Sequence, residues 1–542
     1  MSGVMAMSSV CAPAQAADGR ALRRDADSLF RPYSSPGAPG GAVLVMDGGK
    51  PAFSATYGRA DIEHDTPVSL DTVFHVASLT KSFTAYGIAL LEADGKLSRR
   101  DSIRRYVPEL APYADNITLE HLIHHTSGIR DHIGLSTLAG WRPDDTVDSA
   151  DVFRMIRRQT AGQFAPGSMY DYSNSNYFLL ALVIQRVSGK SYADFMRETI
   201  FVPAGMTATV IKETPNQLIR GQAKSYEQGP DGRYRRAFLQ FGYAGDTNLM
   251  TSIRDLGRWG DFVMTSKIGG RPAYEVLAET RPLAGGGAND YGWGFEVGQV
   301  GGQQTLRHGG SDAGFRAHIL LIPGQRKAVV VAANSDQVSM SVVADTLATR
   351  LTGQRRGVPR PKAAASKDLK RALREYAGVY RLENGLVFTF EDQAGAARLE
   401  VFGLGTFMPT FVEPNRFVVP SANSEVRFSR TDKGVLVEVE MSGGVTTGRR
   451  VDAASARLPQ TVLGPTFYCD ELFAAYRVDA PATALRSALG DPIGLLPLDA
   501  SSFMLKTWGS GVGSVAQDPR GGTVLTLKTF RGGTFSCPER LR

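Results

Sequence analysis

The hydrophobic positions change period several times along the chain, and each change predicts an element. Residues 20–30 carry a helical pattern. The stretch "GGAVLVMDGGKPAFSATYGRAD" follows, two β-rich runs around Asp47-Gly48-Gly49, which reads as a hairpin. Residues 78–93 form a long apolar helix that Asp94-Gly95 stops. From about 100 to 275 the pattern is mostly helical, broken by Pro and Gly loops. Strands return in "YGWGFEVGQV", "QQTLRHGG" and "FRAHILLIPGQRKAVVVAANSD", the last a hairpin turning at Pro323-Gly324, and "SMSVVADTLATRLTG" closes the region as a helix. Strands at both ends with helices between them predict an α/β domain. N-terminal and C-terminal strands share one antiparallel sheet, and a helical lobe is inserted.

Beyond residue 353 the pattern changes again. "GQRRGVPRPKAAASK" has no apolar period and reads as a linker; after it, short strands and turns alternate to the end. Residues 459–466 look like a second break. The division expected is a leader or disordered N-terminus at 1–19, an α/β domain at 20–355, a linker at 356–370, and two small antiparallel β-barrels at 371–455 and 456–542. One larger lipocalin-like barrel is the alternative.

Composition narrows the function classes. The 542 residues are 42% hydrophobic and 21% charged, enough to bury substantial cores, and the net charge of +7 is scattered rather than gathered into a nucleic-acid patch. No apolar run reaches the roughly 18 residues of a membrane span. The N-terminus is small-residue-rich and ends in Ala-Gln-Ala, like the cleavage end of a secretory signal without its basic start or strong apolar core. It points to a periplasmic or secreted protein, or to a cytoplasmic one if it is no signal. Cys11 lies in this segment. Cys469 and Cys537 have no zinc spacing; they form one disulfide in an exported protein or stay as two reduced thiols.

Three short motifs carry candidate chemistry. Ser78 and Lys81, in "ASLTKS", are three apart and share a helix face. A lysine buried there loses pKa by desolvation and can take the serine proton; the plainer reading is a cap and a snorkelling lysine. Tyr172-Ser173-Asn174 sits in a polar loop before an apolar helix, where a phenol relays a proton and a carboxamide orients an amide; an N-cap with a packing tyrosine is the alternative. His308-Gly309-Gly310 lies between two β-runs, where glycines let a ligand backbone approach; a glycine bulge with a surface histidine competes. His121, His124 and His125 have helix zinc-ligand spacing without the glutamate of H-E-x-x-H, and fit better as capping and packing groups.

In this order the motifs resemble the serine β-lactamase and penicillin-binding protein superfamily, whose signature is S-x-x-K, then Y-x-N or S-x-N, then K-T-G or H-x-G. "HLIHHTSGI" and "FAPGSMYDYSNSNYFLLALVI" are similar to its class C-like branch (peptidase family S12), and the histidine of the third motif with the β-rich tail resembles the bacterial D-aminopeptidases. The resemblance implies a β-lactamase/transpeptidase-like fold, no cofactor and no metal. It implies Ser78 as nucleophile, Lys81 as its activator and Tyr172 as proton shuttle. Asn174, His308, Gly309 and Gly310 become substrate-binding, and the backbone N–H groups of Ser78 and Ser311 form the oxyanion hole. The activity it implies is release of N-terminal D-residues from peptides or amides. A family VIII-like esterase, a DD-peptidase with weak β-lactamase activity, and a non-catalytic muropeptide sensor are the alternatives. A small peptide, amide or ester is the expected partner, with no nucleic acid and with room left for a homodimer. A loop of the last barrel, in 488–497 or 508–522, is expected to restrict the site.

Overall fold

The computed structural model describes residues 12–353 except 143, 230 and 239. It also describes residues 366–539 except 384–385, 394, 402–404, 408, 420–423, 433, 442–443, 452–464, 473, 480–483, 488–492, 499–500, 507–510, 518–521 and 530–532. Most of the expected leader, the linker up to residue 365, the break near 459–464 and large parts of both candidate gating loops lie outside the described residues. The chain forms two compact units. One holds residues 1–97, 184–280 and 290–356, and the other holds 98–183, 281–289 and 357–542.

The first unit is built on a six-stranded antiparallel sheet. Its order is Glu296–Val300, Gln303–Asp312, Phe315–Ile322, Lys327–Ala333, Gly41–Asp47, Lys50–Tyr57. The N-terminal and C-terminal strands do meet, with Gly41 opposite Ala333 and Asp47 opposite Lys327. "GAVLVM" and "AVVVAA" show no alternation because both faces of the sheet are covered. On one face Val43, Val45, Val329 and Val331 pack with Leu22, Val343 and Leu347 of the terminal helices Ala12–Leu29 and Met340–Leu351. On the other, Gly257 and Gly260 of Ile253–Thr265 lie where an added Cβ would meet Leu44 at 2.7 Å or Leu321 at 2.9 Å. Each fully buried Val or Leu contributes about 1.5–3 kcal/mol. The first hairpin turns at Gly48 and Gly49, with φ of 58° and 79°, as a two-residue loop of this hand requires. The region after residue 100, expected as mostly helical, also holds short strands such as Tyr226–Gln228 and Leu249–Ser252.

The second unit holds a helical lobe and two antiparallel barrels. The first barrel is a nine-stranded sheet, and Ser366–Tyr376 is a helix whose Ala372, Leu373 and Tyr376 fill its core beside Tyr380, Phe417 and Phe428. Residues 366–370 are therefore helix, not linker: the charged run "SKDLKRALREY" carries a narrow apolar stripe that the barrel buries. The second barrel runs its eight strands in chain order from Phe467–Cys469 to Gly533–Pro538. A bridge between Phe467 and Glu539 and a disulfide between Cys469 and Cys537 join its first and last strands. The two thiols left open by the sequence are thus bonded. Among the described residues no helix is long and apolar enough to cross a membrane.

The cross-link closes a 68-residue separation, a loop length for which chain entropy supplies about 4 kcal/mol. Reduction, or Cys469→Ser with Cys537→Ser, is expected to lower the urea midpoint of the barrel transition accordingly. Two titratable thiols at these positions in the unreduced, unfolded chain contradict the bond.

Candidate active site

Ser78 stands in a short 3-10 turn, Ala77–Leu79, ahead of the helix Thr80–Ala93. From Thr72 to Ala89 every position is buried except Ser78. The turn is held from several sides. Thr80 Oγ1 donates to Ala77 O at 2.6 Å and accepts from Leu249 N at 3.2 Å, and Val76 N donates to Leu249 O. Ala77 has φ of +48°, a strained position for a residue with a Cβ, and it aims the next side chain out of the buried segment.

Lys81 is completely buried. Its Nζ contacts Ser78 Oγ at 3.2 Å and donates to Asp246 O at 2.9 Å. The backbone of Lys81 is covered too: Gly294, at φ +70°, sits where a Cβ would come within 2.5 Å of Lys81 O. The snorkelling alternative is therefore excluded, because the ammonium is not in water but on the serine and a carbonyl.

His308-Gly309-Gly310 lies within the strand Gln303–Asp312, not between strands as expected. Pairing with Glu296–Val300 stops at Arg307, so from His308 onward the strand has a ladder partner on one side only among the described residues. Gly310 packs on the turn that carries Ser78: a Cβ there would lie 2.0 Å from Val76 O. The glycine requirement at 310 thus comes from the protein's own backbone, while a Cβ at Gly309 would meet His318 Nδ1 at 3.4 Å and Ala317 O at 3.9 Å, which are tolerable contacts. Ser311 is exposed beside it.

His308 is buried and neutral. Its Nδ1 donates to Gly309 O at 2.6 Å, so Nε2 accepts from Tyr291 OH at 2.9 Å. Burial, then the Lys81 charge, push its pKa down to about 3. An imidazole of ordinary pKa carries a weak positive charge near neutral pH, and this one carries none. His75 and His318 are likewise held near 3, mainly by burial. Asp312 goes the other way: burial and then the Asp246 carboxylate raise it to about 7, with Thr247 Oγ1 at 3.5 Å from its Oδ2 and 3.3 Å from His75 Nε2.

Tyr172 and Asn174 belong to the second unit. Tyr172 is half-buried, its ring 4.2 Å from that of His125. Asn174 opens the helix Asn174–Ser188, and both its backbone N and its Nδ2 donate to Asp131 Oδ2, at 2.6 and 2.8 Å. The other oxygen of Asp131 caps the helix His132–Leu138 through Ile133 N and Gly134 N. One buried carboxylate thus fixes the carboxamide and a neighbouring helix. His125, at φ +56°, accepts from Ser173 N at 3.1 Å and lies 3.1 Å from Asn176 Nδ2, while His121 Nδ1 accepts from Thr118 N in a capping box. The histidine cluster therefore orders backbone. Among the described residues no group of three or more His, Cys, Asp or Glu is set to hold a metal ion.

Four residues that matter here were not singled out from the sequence. Asp131 had a signal, as an aspartate at a helix start in "SGIRDHIG". Tyr291, Asp246 and Asp312 had none, since only the fold brings them to their partners.

A family model described as "Beta-lactamase" matches residues 26–354. Among curated proteins the chain is 28% identical over 438 residues to penicillin-binding protein 4* of Bacillus subtilis, covering 75% of this chain and 94% of that one. It is 28% identical over 382 residues to a D-aminopeptidase of Gluconobacter oxydans, covering 70% of each. Its fold is similar to that of an octameric penicillin-binding protein homologue from Pyrococcus abyssi, with a TM-score of 0.57, 22% identity and coverage of 79% and 99%. A D-amino acid amidase from Ochrobactrum anthropi, solved with L-phenylalanine amide, gives 0.51, 22% identity and coverage of 61% and 97%.

The shifted groups of the first unit set a pH dependence. Below an ordinary value of 6.5 the unfolded chain protonates His75, His308 and His318, while the folded chain, with values near 3, does not. Asp312 opposes this by one proton, because its folded value near 7 lies above the ordinary 3.8. For these four groups the net of two protons makes stability fall by up to about 3 kcal/mol per pH unit as pH drops from about 6 to 4.5, and Glu213 and Glu296, whose carboxyls burial also pushes up, lessen the fall. Urea unfolding followed by Trp259 and Trp293 fluorescence checks this, and His318→Asn is expected to remove about half of the slope. A flat or inverted profile contradicts it.

Proposed function

Because this chain belongs to the beta-lactamase family, as a serine hydrolase, we propose that it is a D-stereospecific aminopeptidase or amidase acting through an acyl-enzyme on Ser78. The observation that carries the reading is Lys81 Nζ on Ser78 Oγ, with Ser78 the one accessible position of a buried stretch. Lys81 takes the serine proton and Oγ attacks the substrate carbonyl. The C–N bond breaks, the amine leaves with a proton, and water hydrolyses the acyl-serine ester to free both acid and serine. By the family pattern, Tyr172 shuttles protons to the leaving amine and from the water. Asn174 holds the substrate amide, and the N–H groups of Ser78 and Ser311 stabilise the oxyanion.

The state of His308 supports the substrate class. A neutral imidazole that spends Nδ1 on Gly309 O and Nε2 on Tyr291 supplies no fixed cation for a substrate carboxylate. Penicillins and stem peptides ending in a free carboxylate are therefore poor substrates, and D-amino amides, short peptides or uncharged esters are better ones. A second reading, a penicillin-binding DD-peptidase, draws on the relative from Bacillus subtilis that the chain matches over most of its length; it requires the carboxylate recognition that His308 lacks. An esterase is separated only by leaving group. The disulfide of the last barrel supports an oxidising compartment, periplasmic or secreted.

A panel of D- and L-alanine p-nitroanilides, p-nitrophenyl esters and nitrocefin tests this. Expected are a preference for the D-anilide, loss of turnover in Ser78→Ala, and a gain toward nitrocefin in His308→Lys. Nitrocefin turned over as fast as the D-anilide by the unaltered chain overturns the assignment.

A further inference from the structure

The last barrel was expected to act on the site through a loop in 488–497 or 508–522. The described residues show a different connection, inside the second unit. The turn between the strands Phe467–Cys469 and Ala474–Val478 carries Glu471. Its Oε1 accepts from Arg130 NH1 at 3.0 Å, from Thr160 N at 2.9 Å and from Thr160 Oγ1 at 2.9 Å. Arg130 is only 6% exposed. Its guanidinium also donates to Gln159 Oε1 at 2.6 Å and to Thr534 O at 3.3 Å in the barrel's last strand, and it lies 4.6 Å over the Phe535 ring. Gln159 Nε2 returns to Glu471 O at 3.2 Å. Burial pushes the Glu471 carboxyl up, but the Thr160 amide and Arg130 outweigh it and hold it below the usual range, so it stays ionised.

Arg130 immediately precedes Asp131, whose carboxylate holds Asn174. The backbone of Arg130 is tied to the same motif, since Ser175 Oγ donates to Arg130 O at 2.7 Å and accepts from His132 N at 2.8 Å. Apolar packing runs in parallel. Leu135 and Leu138 of the helix capped by Asp131 are buried in the barrel's own core with Phe467, Tyr476 and Phe535, and Tyr476 OH donates to Leu138 O. A hydrophobic core fixes distance, and a paired, hydrogen-bonded guanidinium fixes orientation.

We propose that Glu471 is a positioning residue: through Arg130 it holds Asp131, and so Asn174, in the orientation that engages the substrate amide. The barrel is then a buttress of the Tyr172-Ser173-Asn174 segment. This rests on the reading of Asn174 given above. Deleting residues 456–542 would strip the core from under Leu135 and Leu138.

Glu471→Ala, Glu471→Gln and the exposed barrel control Arg477→Ala, all in the full chain, test the proposal with three readouts. These are steady-state kinetics on D-alanine p-nitroanilide, the rate of Ser78 labelling by a fluorophosphonate, and hydrogen exchange of peptides covering 129–138 and 172–176. Glu471→Ala is expected to lower kcat/KM about ten-fold, mostly through KM, the lower end of the roughly 10–100-fold that losing a supporting hydrogen-bond partner costs. It speeds exchange in both peptides, leaves exchange of the helix Thr80–Ala93 unchanged and labels Ser78 at the normal rate. Glu471→Gln, which keeps an accepting oxygen, recovers part of the loss, and Arg477→Ala changes nothing. Unchanged kinetics and exchange in Glu471→Ala overturn the proposal. If Glu471→Ala does not fold, Glu471→Gln decides by the same exchange readout. Failure of the unaltered chain to label at Ser78 defeats the hydrolase reading instead, while exchange still reports on the buttress.

Discussion

A lysine with no exposed surface, its Nζ on a serine hydroxyl and a main-chain carbonyl, is the constraint around which the first unit is arranged. A buried ammonium is costly unless hydrogen-bonded, so the surrounding chain must supply partners and exclude water together. The helix Thr80–Ala93 is buried on nearly every side, Gly294 closes over the Lys81 carbonyl, and Gly310 lets its strand press on the turn before Ser78. The six-stranded sheet makes this affordable by fixing the strand that carries Gly310 in register with its neighbours. Only Ser78 is left accessible. That contrast, rather than the S-x-x-K spacing itself, sets Ser78 apart from a plain helix cap.

The charge around that lysine is arranged with the same economy. Three histidines are held neutral, and one aspartate beside another titrates close to neutrality. His308 stands first in the third motif, where the K-T-G form of the signature has lysine, and both its ring nitrogens are spent on Gly309 and Tyr291. A second cation beside Lys81 would favour its uncharged form, the one that accepts a proton, and the neutral His308 gives no such push. A neutral imidazole also offers no charge to a substrate carboxylate, which is the basis of the substrate class proposed above.

Much of this was legible in the sequence because the signals were local. The unalternating runs "GAVLVM" and "AVVVAA", the Gly48-Gly49 turn and each of the three motifs are contained within a few residues, and they pointed to the sheet, its hairpin and the candidate residues. Groups that depend on long-range placement were not legible. Nothing near residue 308 announces Tyr291 as its partner or burial as its fate. The helix Ser366–Tyr376 looked like linker because its charged residues outnumber the apolar stripe that the barrel buries. Asp131 could have been noticed as a cap, but its second oxygen serves Asn174, 43 positions away. Glu471 is 341 positions from Arg130, and no periodicity connects them.

The central claim is that Lys81 activates Ser78 for acylation. Acid-quenched mass spectrometry of the chain during turnover of a D-alanine ester tests it most directly. A D-alanyl adduct on the peptide containing Ser78, formed in the pre-steady state and lost from Lys81→Ala, is the predicted result. An adduct on another residue, or hydrolysis that proceeds undiminished in Lys81→Ala, contradicts it.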